Sequence, residues 1–243
     1  MPGPRLQAST SSGMKGKAGW CAALLVSIGF PCTSAIAADC KSSPAPQVDW
    51  QDCNKSNIVV RGAALAGATL AGADFTLTDL RDADLRKADL QKATLVRSSL
   101  AGANAAGANF GRAEAYRTSF SGMQGDGASF ASAELQRADF SGANLAGANF
   151  EKAELGRASF EKSRLEGARF TLANLSRASF VGAEIGGAVD FENAFLYLTR
   201  IEGVDLSSAT GLAQAQVDLT CGDSDTKLPA GLSPSASWPC KFD

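Results

Sequence analysis

Histidine is absent from all 243 residues. That one absence removes the commonest general base and the commonest zinc ligand together. Ser-His-Asp and Cys-His mechanisms are therefore excluded. A strong net charge is lacking too. The 23 basic and 25 acidic side chains leave −2, far from the basic balance of a dedicated nucleic-acid binder. No apolar run reaches the roughly 20 residues of a membrane-spanning helix. What remains is a chain rich in alanine, with 25 glycines and an ordinary hydrophobic fraction of 45%.

The first segment reads as an export signal. Met14-Lys15-Gly16-Lys17 supplies a charged start, and residues 18–30 an apolar stretch carrying Leu24, Leu25, Val26 and Ile28. Ala35-Ile36-Ala37 has the small-x-small form that signal peptidase accepts, which places cleavage between Ala37 and Ala38. Residues 1–13 fit no such pattern, so either Met14 is the start or the charged region is long. Lipidation is disfavoured, because Asp39 stands before Cys40 where a small residue is needed. Cleavage removes Cys21 and Cys32 and leaves Cys40, Cys53, Cys221 and Cys240. An even count in an oxidising compartment reads as disulfides, with three pairings open.

The middle of the chain has a period of five. Leu65, Leu70, Phe75, Leu80, Leu85, Leu90 and Leu95 begin a series of large apolar residues that runs to Ile185, lapsing only at Ala105, Ala115 and Gly125. Two residues before each stands alanine, apart from Thr78, Ser98, Thr118, Met123 and Ser163, and a polar residue lies between. Neither a helix of period 3.6 nor a strand of period 2 accounts for this spacing. A square coil does, with one pentapeptide per side and about 20 residues per turn, stacked at the β spacing of about 4.8 Å. The large residue and the alanine point inward. Residues twenty apart should then match, and they do. Phe110, Phe130, Phe150 and Phe170 form one column, and Phe120, Phe140, Phe160 and Phe180 another. Leucines fill the remaining two sides, with Leu135, Leu155 and Leu175 on one and Leu145, Leu165 and Ile185 on the other.

With its A-(D/N)-L-x-x units, as at Ala83-Asp84-Leu85 and Ala108-Asn109-Phe110, the run resembles the pentapeptide-repeat family over residues 60–206. The resemblance implies an all-β fold, a right-handed quadrilateral β-helix. It implies little about function, since that family spans many roles. The expected layout is a signal peptide at 1–37, a small cap at 38–59, the β-helix at 60–206 and a second cap at 207–243 with a short helix near 211–219. About seven coils put the two ends some 35 Å apart, whereas bridged Cα atoms lie within about 7 Å. Only Cys40–Cys53 and Cys221–Cys240 can then pair, each stapling one cap, and a shared four-cysteine zinc site fails on the same distance.

Two irregularities stand out. The frame slips by one residue at Ala188-Val189-Asp190-Phe191. Residues 122–127 lose the large central residue and gain three glycines, Gly122, Gly125 and Gly127. The expectation there is a bulge in which Met123 fills the space left by Gly125; the alternative is a recognition kink.

The same register sorts the outer residues. Arg97, Arg117, Arg137, Arg157 and Arg177 fall in one column, with Lys92, Arg112 and Lys152 on the neighbouring corner. Glu114, Glu134 and Glu154 each stand three residues before one of the arginines. Two readings of the column follow. In one the glutamates neutralise it; in the other it is a ladder of guanidinium groups for an elongated polyanion.

Three function classes remain. A carboxylate enzyme would have to use Asp74, Asp79, Asp84 and Asp89, which occupy the ordinary outward polar position. The resemblance offers a DNA mimic of the kind that binds gyrase and protects against quinolones, which needs the cytosol and a densely acidic face. An exported, non-catalytic scaffold that contacts a protein or an anionic envelope polymer meets no objection. No catalytic residue, metal or cofactor is expected.

Overall fold

The structure is a computed structural model that describes residues 38–241. The export segment expected at 1–37 lies outside the described residues.

Each pentapeptide forms three extended residues and a two-residue corner. The second corner residue has positive φ turn after turn, as at Gly67 (65°), Arg117 (56°) and Gly142 (66°). The next N–H closes the corner by donating to the carbonyl three residues back, as Ala68 does to Leu65 at 3.1 Å. This is the pattern of a type II turn, whose third residue needs φ above zero. The outward polar residue serves the same corner. Asp74 Oδ1 accepts the N–H of Thr76 at 2.8 Å, Asn109 Oδ1 that of Gly111 at 3.0 Å and Asp139 Oδ1 that of Ser141 at 3.0 Å. The first corner N–H points away from the ladder, so a short side-chain oxygen two residues earlier is its natural partner. That is why the repeat prefers Asp or Asn there.

Parallel bridges join each outward residue to the one twenty later, from Asp49↔Thr69 through to Arg164↔Glu184. With a corner every five residues, twenty residues make four sides. The result is a four-sided parallel β-helix. Its ladder is illustrated by Leu65, whose N–H donates to Asp84 O at 2.8 Å, while Asp84 N–H donates to Ala63 O at 2.9 Å.

The bore is dry. Phe110, Phe130 and Phe150 stack with centroids 4.7 and 4.9 Å apart and planes within 4°. Phe120, Phe140 and Phe160 stack likewise at 4.7 and 5.1 Å on the opposite side. Across the bore the two stacks meet edge to face, at 5.6 Å for Phe120–Phe130 and 5.5 Å for Phe140–Phe150. Both arrangements suit the ring quadrupole. Where a hydroxyl replaces the inward alanine it finds a carbonyl: Thr78 donates to Lys55 O at 2.7 Å, Thr118 to Leu95 O at 2.6 Å and Ser163 to Phe160 O at 2.7 Å.

The irregular segment at 122–127 corrects one expectation. Met123 is buried as expected, and its Cε would lie 2.9 Å from a Cβ placed on Gly125. The bulge, however, does not form. The bridges Asn104↔Gln124 and Gln124↔Asn144 continue the ladder, and Gly125 N–H still donates to Asn144 O at 2.7 Å. Nor is there a kink, for Gly122 and Gly127 keep the ordinary corner φ of 64° and 63°. The methionine replaces the missing volume from inside the bore, so the backbone needs no adjustment. The frame slip is real. Partners twenty apart become partners twenty-one apart at Arg169↔Asp190, Asn174↔Phe195 and Ser179↔Arg200.

Disulfides join Cys40 to Cys53 and Cys221 to Cys240, with Cα separations of 5.4 and 5.3 Å. At the first end, Lys55 occupies an inward central position that elsewhere is apolar. Its Nζ lies 3.6 Å from the Trp50 ring centroid and donates to Cys40 O at 2.8 Å, while the Trp50 indole N–H donates to Ser42 Oγ at 2.9 Å. Burial pulls the Lys55 ammonium below the usual lysine range, and the charge of Asp39 opposes that shift. At the other end lies the four-residue helix α1, Gln214–Val217. Its Gln216 Nε2 donates to the carbonyls of Phe191 and Ala194, both at 2.9 Å. Among the described residues no helix is long and apolar enough to cross a membrane.

Candidate anion-binding face

The five arginines Arg97, Arg117, Arg137, Arg157 and Arg177 all stand at the second corner position, with φ between 56° and 61°. All five are exposed. Four coil steps at the β spacing spread them over about 19 Å. Left-handed backbone costs a non-glycine residue about 1–2 kcal/mol. The two corners that flank the next face mostly avoid that cost by using glycine, as at Gly102, Gly122 and Gly142 and at Gly107, Gly127 and Gly147. The arginine corner does not.

The neutralising pairing weighed from the sequence is not formed. Among the described residues no ion pair joins any of the five arginines to a carboxylate. The three-residue spacing misleads, because the bridged glutamate leaves from a flat side and the arginine from the αL corner. Glu154 instead accepts from Asn174 Nδ2 at 2.8 Å, and the Arg117 guanidinium rests 5.2 Å from the centroid of the Tyr116 ring. Lys152 on the neighbouring corner pairs with Glu151 at 3.1 Å. The face thus carries a glutamate stripe between two basic edges.

Asp74, Asp79, Asp84 and Asp89, adjacent in sequence, are dispersed one to each side of the same coil, as their separate bridges to Asn54, Val59, Ala64 and Thr69 require. Two are held by arginines. Arg81 Nε donates to Asp79 Oδ1 at 2.8 Å and Arg86 Nε to Asp84 Oδ1 at 2.8 Å. The Arg81 hydrogen bond keeps the Asp79 carboxyl down at about 2, and Arg86 lowers that of Asp84. Asp79 and Asp84 are thereby held ionised, and all four carboxylates stand on separate sides, which is the opposite of an acid–base pair. Among the described residues no cluster of acidic, cysteine or histidine side chains could hold a metal ion.

The repeat matches two family profiles. Pentapeptide repeats (8 copies) covers residues 61–95 and 153–189, and Pentapeptide repeat region covers 104–170. The chain belongs to the pentapeptide-repeat family. Thirty solved chains resemble it. One is a pentapeptide repeat protein of the Arabidopsis thaliana thylakoid lumen, 30% identical, covering 40% of this chain and 68% of that one with a TM-score of 0.40. Another is QnrB1, a plasmid-mediated fluoroquinolone resistance protein, 22% identical over 74% of this chain and 84% of that one with a TM-score of 0.44. A third is HetL of the cyanobacterium Nostoc, a pentapeptide repeat protein involved in heterocyst differentiation regulation, 20% identical over 76% and 85% with a TM-score of 0.26. No curated protein matches.

Two residues of this pentapeptide-repeat chain escaped the sequence reading. Phe195 and Tyr197 stand outside the bore, 50% and 44% exposed. The signal was available, since Phe195 falls where the slipped frame calls for a polar residue.

Proposed function

We propose that this pentapeptide-repeat protein is an exported, non-catalytic scaffold. In this reading it is a right-handed quadrilateral β-helix, closed at both ends by disulfide-stapled caps, that contacts an anionic polymer of the cell envelope. The observation that carries it is the ladder of Arg97, Arg117, Arg137, Arg157 and Arg177, exposed and without ion pairs among the described residues. Like charges stacked at about 4.8 Å repel each other. A polyanion lying along the corner relieves that repulsion and accepts bidentate hydrogen bonds from the guanidinium forks. The export signal and the two disulfides support a location in an oxidising compartment. Sequencing the N-terminus of protein taken from the native envelope should give Ala38; a cytosolic chain starting at Met1 or Met14 contradicts export.

The binding test replaces Arg117, Arg137 and Arg157 with glutamine. The parent should be retained on an anionic polymer at low salt and released near 0.15 M, where screening acts over about 8 Å. The triple variant should be released at lower salt. Unchanged retention in a folded variant removes the ladder from binding.

The gyrase-binding DNA mimic that the family resemblance offers gains no support. The longest acidic run in any bridged column is Glu114–Glu134–Glu154, and basic corners border it on both sides.

A further inference from the structure

One end of the arginine face carries an aromatic pair that the repeat does not need. Phe195 is bridged below Asn174, at the foot of the column Glu114–Glu134–Glu154–Asn174. In this column the outward position otherwise holds short polar residues or glutamate. The rings of Phe195 and Tyr197 are nearly parallel and stacked, with planes 10° apart and centroids 6.3 Å apart. Neither ring is part of the bore. Tyr197 adjoins the ladder directly, because the Arg177 N–H donates to Tyr197 O at 2.8 Å. Leu172, also exposed, borders the same end of the face.

We infer that this face binds an acidic polysaccharide, with a sugar ring laid on the Phe195–Tyr197 platform and successive carboxylates on the arginine ladder. The inference rests on the anion-binding reading above and names the polymer. Three features of the face select this chemistry. The exposed aromatic rings offer apolar area and a negative π-face to the C–H side of a sugar ring, which polyphosphate cannot use. The guanidinium groups match carboxylates in bidentate geometry. The glutamate stripe then favours a polyanion that carries hydrogen-bond donors. Glu114, Glu134 and Glu154 form no ion pair among the described residues. Carboxylates are acceptors only. Sugar hydroxyls can donate to them, whereas polyphosphate has no donor and is only repelled by the stripe. A single-stranded nucleic acid would stack on the same rings, but the disulfides point to an oxidising compartment.

The experiment compares polygalacturonate, polyphosphate, neutral dextran and poly(A) as probes of the full chain by affinity electrophoresis at low salt. The variant is Phe195→Asn with Tyr197→Ser, which copies Asn174 and Ser176 of the coil above and so suits the fold. The parent should bind polygalacturonate in preference to poly(A) and should not bind dextran. The double variant should lose roughly tenfold in affinity for polygalacturonate, because the apolar ring surface is removed, and change less than about twofold toward polyphosphate. Equal losses for the two polyanions, or no loss for polygalacturonate, overturn the platform. Stronger binding to poly(A) than to polygalacturonate makes nucleic acid the partner and overturns the glycan. If the parent binds none of the polyanions, it is the arginine-ladder reading itself that fails.

Discussion

Replacing Leu155 by aspartate should cost at least about 4 kcal/mol and unfold the coils around it, whereas Glu154→Ala should cost below about 1 kcal/mol. The two residues are neighbours in sequence but face opposite ways. Leu155 is fully buried in its column between Leu135 and Leu175, and Glu154 is exposed. A carboxylate at 155 enters an apolar bore whose backbone groups are already committed to the ladder. It must stay charged without a partner or take up a proton, and both are costly. Glu154 loses only its bond from Asn174. Urea melts of the two variants decide the matter. Similar midpoints would mean that the five-residue register is misassigned.

The second large effect is expected at Phe150→Ala, about 3–5 kcal/mol. Phe150 stacks on Phe130 at 4.9 Å and on Phe170 at 5.0 Å, and meets Phe140 and Phe160 edge-on at 5.5 Å each. Truncation opens a gap touching four rings. The coils above and below are pinned by their own ladder bonds, so the gap cannot collapse. Phe150→Leu should cost far less, because leucine already fills the two adjoining sides of the same coils. Thermal melts give the comparison. A loss under about 1 kcal/mol for the alanine variant would show that the rings are not the core of the solenoid.

Much of this architecture is legible in the sequence because the period is set locally. Each Asx turn and each αL corner fixes its own five residues, and the closure at twenty follows from four equal sides. The phenylalanine columns, the slip before Asp190 and the cysteine pairing all follow from that arithmetic. Side-chain direction does not. Glu134 and Arg137 lie three residues apart, a distance that pairs charges on a helix, yet here a corner separates them. The same register places residues five apart on successive sides, so the dispersal of Asp74, Asp79, Asp84 and Asp89 was implicit in it. Lys55 and Trp50 resist such reading, since the terminal coil has no coil above it and the lysine escapes to the Cys40 carbonyl at the open end. Met123 shows how a lapse in pattern can be absorbed by a flexible side chain while the backbone stays regular.

The central claim is that the arginine ladder serves binding and not the fold. Glutamine at positions 117, 137 and 157 keeps a side chain at each αL corner and removes only the stacked charge. The most direct measurement is the thermal midpoint of that triple variant, taken together with its retention on anionic polymer. The account predicts a midpoint equal to or above that of the parent, because repulsion along the column is relieved, with retention lost at lower salt. A midpoint well below the parent's, with retention unchanged, would contradict it and make the arginines a structural element of the coil.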